Sequence, residues 1–228
     1  MMTPTLLIVT PCRPAWLHCN FVLSLMATVD ELRSRGIRVA FAVEPNATVG
    51  RARAALVAQF LAMPGATHLL MLDADMAWRP ESVLRLLQHN VEFVAVAGAY
   101  RGTGQVIHEI DEIREHDHPS PLISVAGVGA CCWLLKRSVI DKMVAAHPEL
   151  RIRRSGAPAD EQFYALFAEM VTDDGKWHGE DWAFCQRWQA IGGHVLVDPT
   201  IELAHFVERP IGGRLADAIG PTQQAEAA

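Results

Sequence analysis

The first hundred residues repeat one pattern: a short, continuously apolar run, a turn signal, then a longer stretch with helical spacing. The apolar runs are "TLLIVTPC", "IRVAFAVEP", "THLLMLD" and "VEFVAVAGAYR". Between them lie a helix-compatible stretch from about Phe21 to Arg35 that stops at Gly36, and "ATVGRARAALVAQFLAMPG", with Thr48 as candidate N-cap and Pro64-Gly65 as its end. A third helix is expected in "RPESVLRLLQHN", where Pro80 suits the first turn. Strands apolar at every position must be covered on both faces. Alternation with helices supplies that cover and predicts βαβ units around a mostly parallel sheet.

The second half breaks this rhythm. Residues 102–121 are polar and rich in His and acids, and read as an irregular excursion or exposed hairpin. "LISVAGVGACCWLLKRSVIDKM" reads as a Gly-interrupted strand leading into a helix, "PADEQFYALFAEM" as a helix and "VTDDGKWHGED" as a loop. "WAFCQRWQAIGG" reads as a helix stopped by Gly192, and "HVLVDPTIELAHF" as a strand pair. No repeat or linker divides the chain. One α/β domain is expected over 1–215, with a frayed Ala/Gln-rich tail at 216–228.

Composition narrows the function classes. Half of the residues are hydrophobic, which supports a real core, and the formal charge of −6 argues against a surface coated for nucleic acid. The five cysteines (Cys12, Cys19, Cys131, Cys132, Cys185) form no CxxC pair, as suits a reduced cytoplasmic protein. No apolar run approaches the roughly 20 residues that span a bilayer, and the N-terminus lacks a signal-peptide pattern. Trp16, Trp133, Trp182 and Trp188 are assigned mostly to the core.

"HLLMLDADMAW" ends a greasy strand on Asp73 and Asp75. In open parallel sheets ligands bind beyond the carboxyl ends of the strands, and residues i and i+2 of a strand share a face. Two carboxylates so close resist joint ionisation unless a cation stands beside them, and hard oxygen ligands favour Mg²⁺ or Mn²⁺. A polar strand end is the alternative, and the motif alone leaves both open. Glu180-Asp181 in "GEDWAFCQRW" opens a helix anchored by Phe184, Trp188 and Ile191. The helix N-terminus is expected to keep Asp181 ionised and able to accept a proton, unless the pair only caps the helix. His205 is ambiguous alone. So is the Gly212-Gly213 doublet, which could admit a phosphate to the backbone. Arg51 and Arg53 open the second helix near the same sheet edge, where a planar guanidinium suits phosphate. Arg151, Arg153 and Arg154 in "RIRRS" could meet a polyanion or solvent.

Taken in order, a helix opening with "RAR", "LLMLDAD", "GVGACCWLLKR", "GEDWAFCQRW" and a late "HF" resemble the GT-A glycosyltransferases, in particular small bacterial and phage-type members with a family-two-like or Anp1-like pattern. The resemblance covers about residues 5–213. It implies a GT-A, Rossmann-like fold and transfer of a hexose or pentose from a nucleotide sugar, a UDP-sugar in first place, to an acceptor hydroxyl. Thr10, Pro11, Arg13 and Glu44 would lie near the nucleoside, with Arg51, Arg53, Asp73 and Gly212 also on the donor side. Asp73 and Asp75 match the DxD motif, with Asp75 the direct ligand of Mn²⁺ or Mg²⁺ and His205 completing the site. Asp181 matches the base of inverting members and Glu180 is its neighbour. Residues 127–130, with Gly129, match the segment facing sugar and acceptor, and Trp177 and His178 would touch the acceptor. A glycan, a protein or a hydroxymethylated DNA base are all compatible acceptors, the last through Arg151, Arg153 and Arg154. The basic residue expected after "AY" is represented only by Arg101.

Three other classes compete. A haloacid-dehalogenase-type phosphohydrolase carries its DxD on the first strand, whereas two βα units precede this one. A nucleotidyltransferase usually has a Gly-rich loop after the first strand, and "TPCRPAW" has no glycine. A non-catalytic sugar-nucleotide binder would not need Asp75, Asp181 and His205 together.

Overall fold

The computed structural model describes residues 4–13, 16–98, 110–114, 121–158 and 161–206. The order is β1 (Thr5–Cys12), α1 (Cys19–Ser34), β2 (Arg38–Pro45), α2 (Val49–Leu61), β3 (His68–Leu72), β4 (Met76–Ala77), α3 (Pro80–His89) and β5 (Phe93–Ala95). Then come β6 (Ile110–Arg114), β7 (Ile123–Val128), β8 (Cys132–Lys136), α4 (Arg137–Ala146), β9 (Met170–Val171), β10 (Trp177–His178), α5 (Glu180–Ala190), β11 (Val195–Val197) and β12 (Ala204–His205).

An eight-stranded sheet with order β2-β1-β3-β8-β5-β11-β7-β6 forms the centre. β1 pairs in parallel with β2 and β3, and β11 with β5, while β8 runs antiparallel between β3 and β5, and β7 antiparallel between β11 and β6. Six strands therefore point one way and only β7 and β8 the other. Alternate side chains of each strand feed two cores. Leu7, Val9, Leu69, Met71 and Trp133 pack under α2, α4 and α5. Leu6, Ile8, Leu70, Leu72 and Val94 pack under α1 and α3. This is the expected α/β architecture, helices on both faces of one mostly parallel sheet. Among the described residues, no helix is long and apolar enough to cross a membrane.

The second half departs from expectation in four places. The "LISVAGVGACCWLLK" stretch is two strands, β7 and β8, which run the same way in the sheet, because the break at residues 129–131 carries the chain past β11 and β5 to the far side of β5. Of "PADEQFYALFAEM", the described residues 161–170 form no helix. Arg187 on α5 donates to the carbonyls of Leu166 and Ala168 at 3.0 and 2.7 Å, and Tyr164, Leu166 and Phe167 are buried as an irregular segment. The loop "VTDDGKWH" contains the β9–β10 hairpin. The late strands do not pair with each other, since β11 enters the main sheet and β12 pairs with β4. Of the polar excursion, Ile110–Arg114 is an edge strand, and the remainder through Ser120 lies outside the described residues.

Two anchors hold parts that matter below. Arg137 donates to the Phe60, Met63 and Ala66 carbonyls at 2.8, 2.6 and 2.6 Å, satisfying the end of α2. Asp198, just after β11, has a fully buried side chain that accepts from Arg85, His89 and the Thr200 hydroxyl and amide. Those donors outweigh the burial that would raise its pKa, and hold it at about 2.

Candidate active site

The carboxyl ends of β1, β2 and β3, the turn before β8 and the first turn of α5 converge on one cleft of about 450 Å³. Asp73, Asp75, Glu180, Asp181, Arg53, Pro11 and Arg13 all border it. Residues more than 100 positions apart in sequence thus share one cavity.

The two DxD carboxylates do not share a strand face. β3 ends at Leu72, and Asp73–Met76 is a tight turn closed by the Met76 amide on the Asp73 carbonyl at 3.2 Å. The turn sends the side chains to different partners. Asp73 Oδ1 accepts from Arg53 Nη2 at 3.0 Å. Asp75 Oδ1 lies 3.6 Å from His205 Nε2, which β12 places by pairing with Met76. Phe206, stacked on His18 with ring centroids 4.2 Å apart, donates its amide to the Asp75 carbonyl.

Among the described residues no three His, Cys, Asp or Glu side chains stand together as a metal cluster. The expected trio of Asp73, Asp75 and His205 is therefore divided. The Asp75–His205 pair still suits a divalent ion. Neighbouring ligands at ~2.1 Å from Mg²⁺ lie about 3 Å apart, and a carboxylate with an imidazole suits Mn²⁺ equally. Substrate phosphate oxygens commonly supply the remaining positions.

Arg53 is the hub of the site. It is 3% exposed and donates to Glu180, to Asp73 and, at 3.4 Å, to the Ala130 carbonyl. Burial alone would lower its pKa, but the fields of Asp73, Glu180 and Asp181 outweigh burial and raise it. Its guanidinium faces these carboxylates from the cleft wall, so its first task in this structure is to hold the two acidic motifs together.

Asp181 is not the helix cap: Gly179 is, and Glu180 and Asp181 occupy the first turn. Asp181 Oδ1 accepts the Trp182 amide at 2.9 Å and Oδ2 the Ala130 amide at 3.4 Å. The helix N-terminus is not the largest influence on Asp181. Burial and the neighbouring Glu180 push its pKa up to about 6, against the opposing pull of Arg53 and the two amides. A carboxylate poised there remains mostly ionised at neutral pH and holds a proton more firmly than a solvated one.

The other expected residues spread around this centre. Thr10 is wholly buried in β1, behind the cleft wall, and its hydroxyl finds no hydrogen-bond partner among the described residues. Glu44 and Arg51 border a neighbouring cleft instead. The Gly129 carbonyl accepts from Trp133 Nε1 at 3.0 Å, and a Cβ at Gly127 would stand 2.8 Å from the Trp182 ring. Trp177 is 69% exposed on β10, beside His178 and just before α5. Arg154 is paired with Glu161, Arg151 donates to the Glu161 carbonyl, and Arg153 is exposed. Gly212 and Arg101 lie outside the described residues.

Trp16 and Asn46 also border the cleft and were not foreseen. Trp16, assigned to the core, is 40% exposed, while Trp133 and Trp188 are buried and Trp182 half-buried. Its position in the Pro-rich loop after β1, at the ligand-binding edge, was the available signal.

An eight-stranded, mostly parallel sheet with β8 reversed beside β3, and acidic motifs at its carboxyl edge, defines a GT-A-like fold. The chain superposes on A197 from STIV with a TM-score of 0.52 at 16% identity, over 90% of this chain and 87% of that one. It superposes equally on the catalytic domain of Drosophila β1,4-galactosyltransferase 7 in complex with xylobiose, with a TM-score of 0.52 at 15% identity over 91% and 72% of the two chains. A mutant of that enzyme in complex with manganese, UDP-Gal and xylobiose gives 0.51 at 13% identity, with the same coverage. The likeness is one of fold: the sequence matches no protein-family profile and no curated protein.

Proposed function

We propose that this chain is a glycosyltransferase that moves a sugar from a nucleotide-sugar donor, a UDP-sugar in first place, to an acceptor hydroxyl with inversion. The observation that carries the reading is a single cleft bordered by Asp181, raised to about 6, and by Asp75, which lies 3.6 Å from His205, with the buried Arg53 in its wall. The manganese and UDP-Gal in the similarly folded Drosophila enzyme add support for the donor class and the cofactor.

The chain's own residues divide the work. Asp75 and His205 would hold Mn²⁺ or Mg²⁺, which when bound neutralises the leaving diphosphate as a Lewis acid. Pro11, Arg13 and Trp16 would line the nucleoside side of the cleft. Arg53 fixes Asp73 and Glu180 so that neither carboxylate wanders toward the donor phosphates. Asp181 takes the proton of the acceptor hydroxyl as its oxygen bonds to the anomeric carbon. The sugar–phosphate bond breaks on the opposite face, and the nucleoside diphosphate departs. Trp177, four residues before this base in the chain and open to solvent, would stack on an arriving acceptor.

The test is a donor screen with Mn²⁺ or Mg²⁺ that follows nucleoside-diphosphate release. Turnover should require the metal and disappear in Asp75→Ala. Full activity in EDTA, or an unaffected Asp75→Ala variant, sinks the reading.

A further inference from the structure

Beside the acidic cleft runs a second, larger one of about 690 Å³, between the outer face of α2 and the segment 152–169. The two meet at the start of α2, where Asn46, Val49 and Glu180 border both. The junction is fixed by close packing: a Cβ at Gly50 would stand 2.7 Å from the Phe167 carbonyl oxygen. Away from the acidic corner the cleft continues along α2 into a further space of about 430 Å³, sharing Glu44, Ala55 and Arg154. The combined groove follows most of α2, roughly 15–20 Å at 1.5 Å per residue. Such a groove suits a chain of several units better than one small molecule.

Its chemistry is mixed in a particular way. Phe163 presents a ring, with the Arg154 guanidinium 4.7 Å from its centroid, and Ile152 stands alongside at 43% exposed. Arg51, Glu44 and Glu169 rim the groove without ion-pairing to one another. The neighbouring Glu161 neutralises Arg154. A polyanion would meet four carboxylates, Glu44, Glu161, Glu169 and Glu180, against two arginines here. A chain bearing hydroxyls finds acceptors in the glutamates, donors in the arginines, and apolar surface for its C–H faces.

We propose that this groove binds the acceptor, and that the acceptor is a neutral oligosaccharide whose terminal hydroxyl passes Glu180 to reach Asp181. The proposal rests on the transferase reading for the word acceptor, but not for the binding itself.

The experiment is saturation-transfer NMR on the full chain with cellotriose, xylotriose, maltotriose and chitotriose, with and without UDP and Mn²⁺. At least one trisaccharide should bind, more tightly than its monosaccharide, and UDP with Mn²⁺ should not displace it. Ala55→Trp, which fills the groove from the outer face of α2, should weaken binding about tenfold or more, and exposed Arg51→Ala about threefold, the scale of one lost polar contact. If Ala55→Trp lowers the melting temperature, Arg51→Ala decides alone. The proposal is overturned if no trisaccharide binds, if UDP with Mn²⁺ displaces it, if the deciding variants bind as the unaltered chain does, or if duplex DNA binds in the sugars' place. Sugar binding in the groove without any donor turnover would instead sink the transferase reading and leave the groove assigned.

Discussion

Two acidic residues, Asp198 just after β11 and Asp181 in the first turn of α5, have opposite characters. Asp198 after β11 is sealed: every neighbour is a donor, and its pKa falls to about 2. Asp181 in α5 is half-buried beside another carboxylate, receives two backbone amides, keeps one side on the cleft, and rises to about 6. The first arrangement spends its carboxylate on holding α3 and the Thr200 turn to the sheet. The second leaves a proton-accepting oxygen with work to do, at some cost to stability. The more deeply buried acid is the one with the lower pKa, so the balance of donors around each, and not burial, sets its character.

The contrast can be broken most directly at Asp181. Asp181→Asn should lower transfer by roughly a hundred- to ten-thousand-fold, the range for losing a general base. In the unaltered chain the rate should fall as pH drops through about 6. The stability effect runs the other way. A pKa raised in the folded state means that the group's favourable contribution is complete only below its unfolded value, about 3.9, and is lost as pH rises through 6. Asp181→Asn should therefore melt higher than the unaltered chain at pH 8, and the two should converge near pH 4. Equal melting temperatures at both pH values would show that Asp181 is solvated like an ordinary surface acid.

Arg53 is the next largest lever. Arg53→Met leaves Asp73 and Glu180 without their shared cation, and breaking a buried pair typically costs about 3–5 kcal/mol. Denaturant unfolding measures this, and a loss near zero would mean that the hub is dispensable. Asp198→Ala should cost about 1–3 kcal/mol through its orphaned donors, with transfer unchanged. That difference should shrink in acid, because a depressed pKa contributes stability above the unfolded value and loses it as pH falls through about 2. A loss of transfer in Asp198→Ala would place the sealed acid in the reaction after all. The smallest effect is at Trp177. Trp177→Ala should leave stability within about 0.5 kcal/mol, as for exposed positions, and raise the acceptor KM alone.

The first half of the fold was legible because its strands are continuous apolar runs that only a doubly covered sheet can bury. The insertion of β8 between β3 and β5 was not, since it pairs residues 60–68 positions apart with β3 and 38–42 apart with β5 and leaves no local trace. The absence of a helix over residues 161–170 has a specific cause. Phe163, Leu166, Phe167 and Met170 fall at helical spacing by accident, and Arg187, far along the chain, captures the carbonyls that a helix would need. At the site, the acidic residues were legible as residue types at a strand end and a helix start. Their division of labour was not, because it depends on a turn at Ala74 and on Arg53 reaching both motifs.

The double fastening of α2 has a consequence for timescale. Gly50 is wedged against the Phe167 carbonyl at one end, and Arg137 grips three carbonyls at the other. A helix pinned so has no low-energy opening of its own. Its amides should trade hydrogen for deuterium only when the whole domain unfolds, as slowly as the central strands beneath it. The wall common to both clefts is thus as long-lived as the folded domain itself.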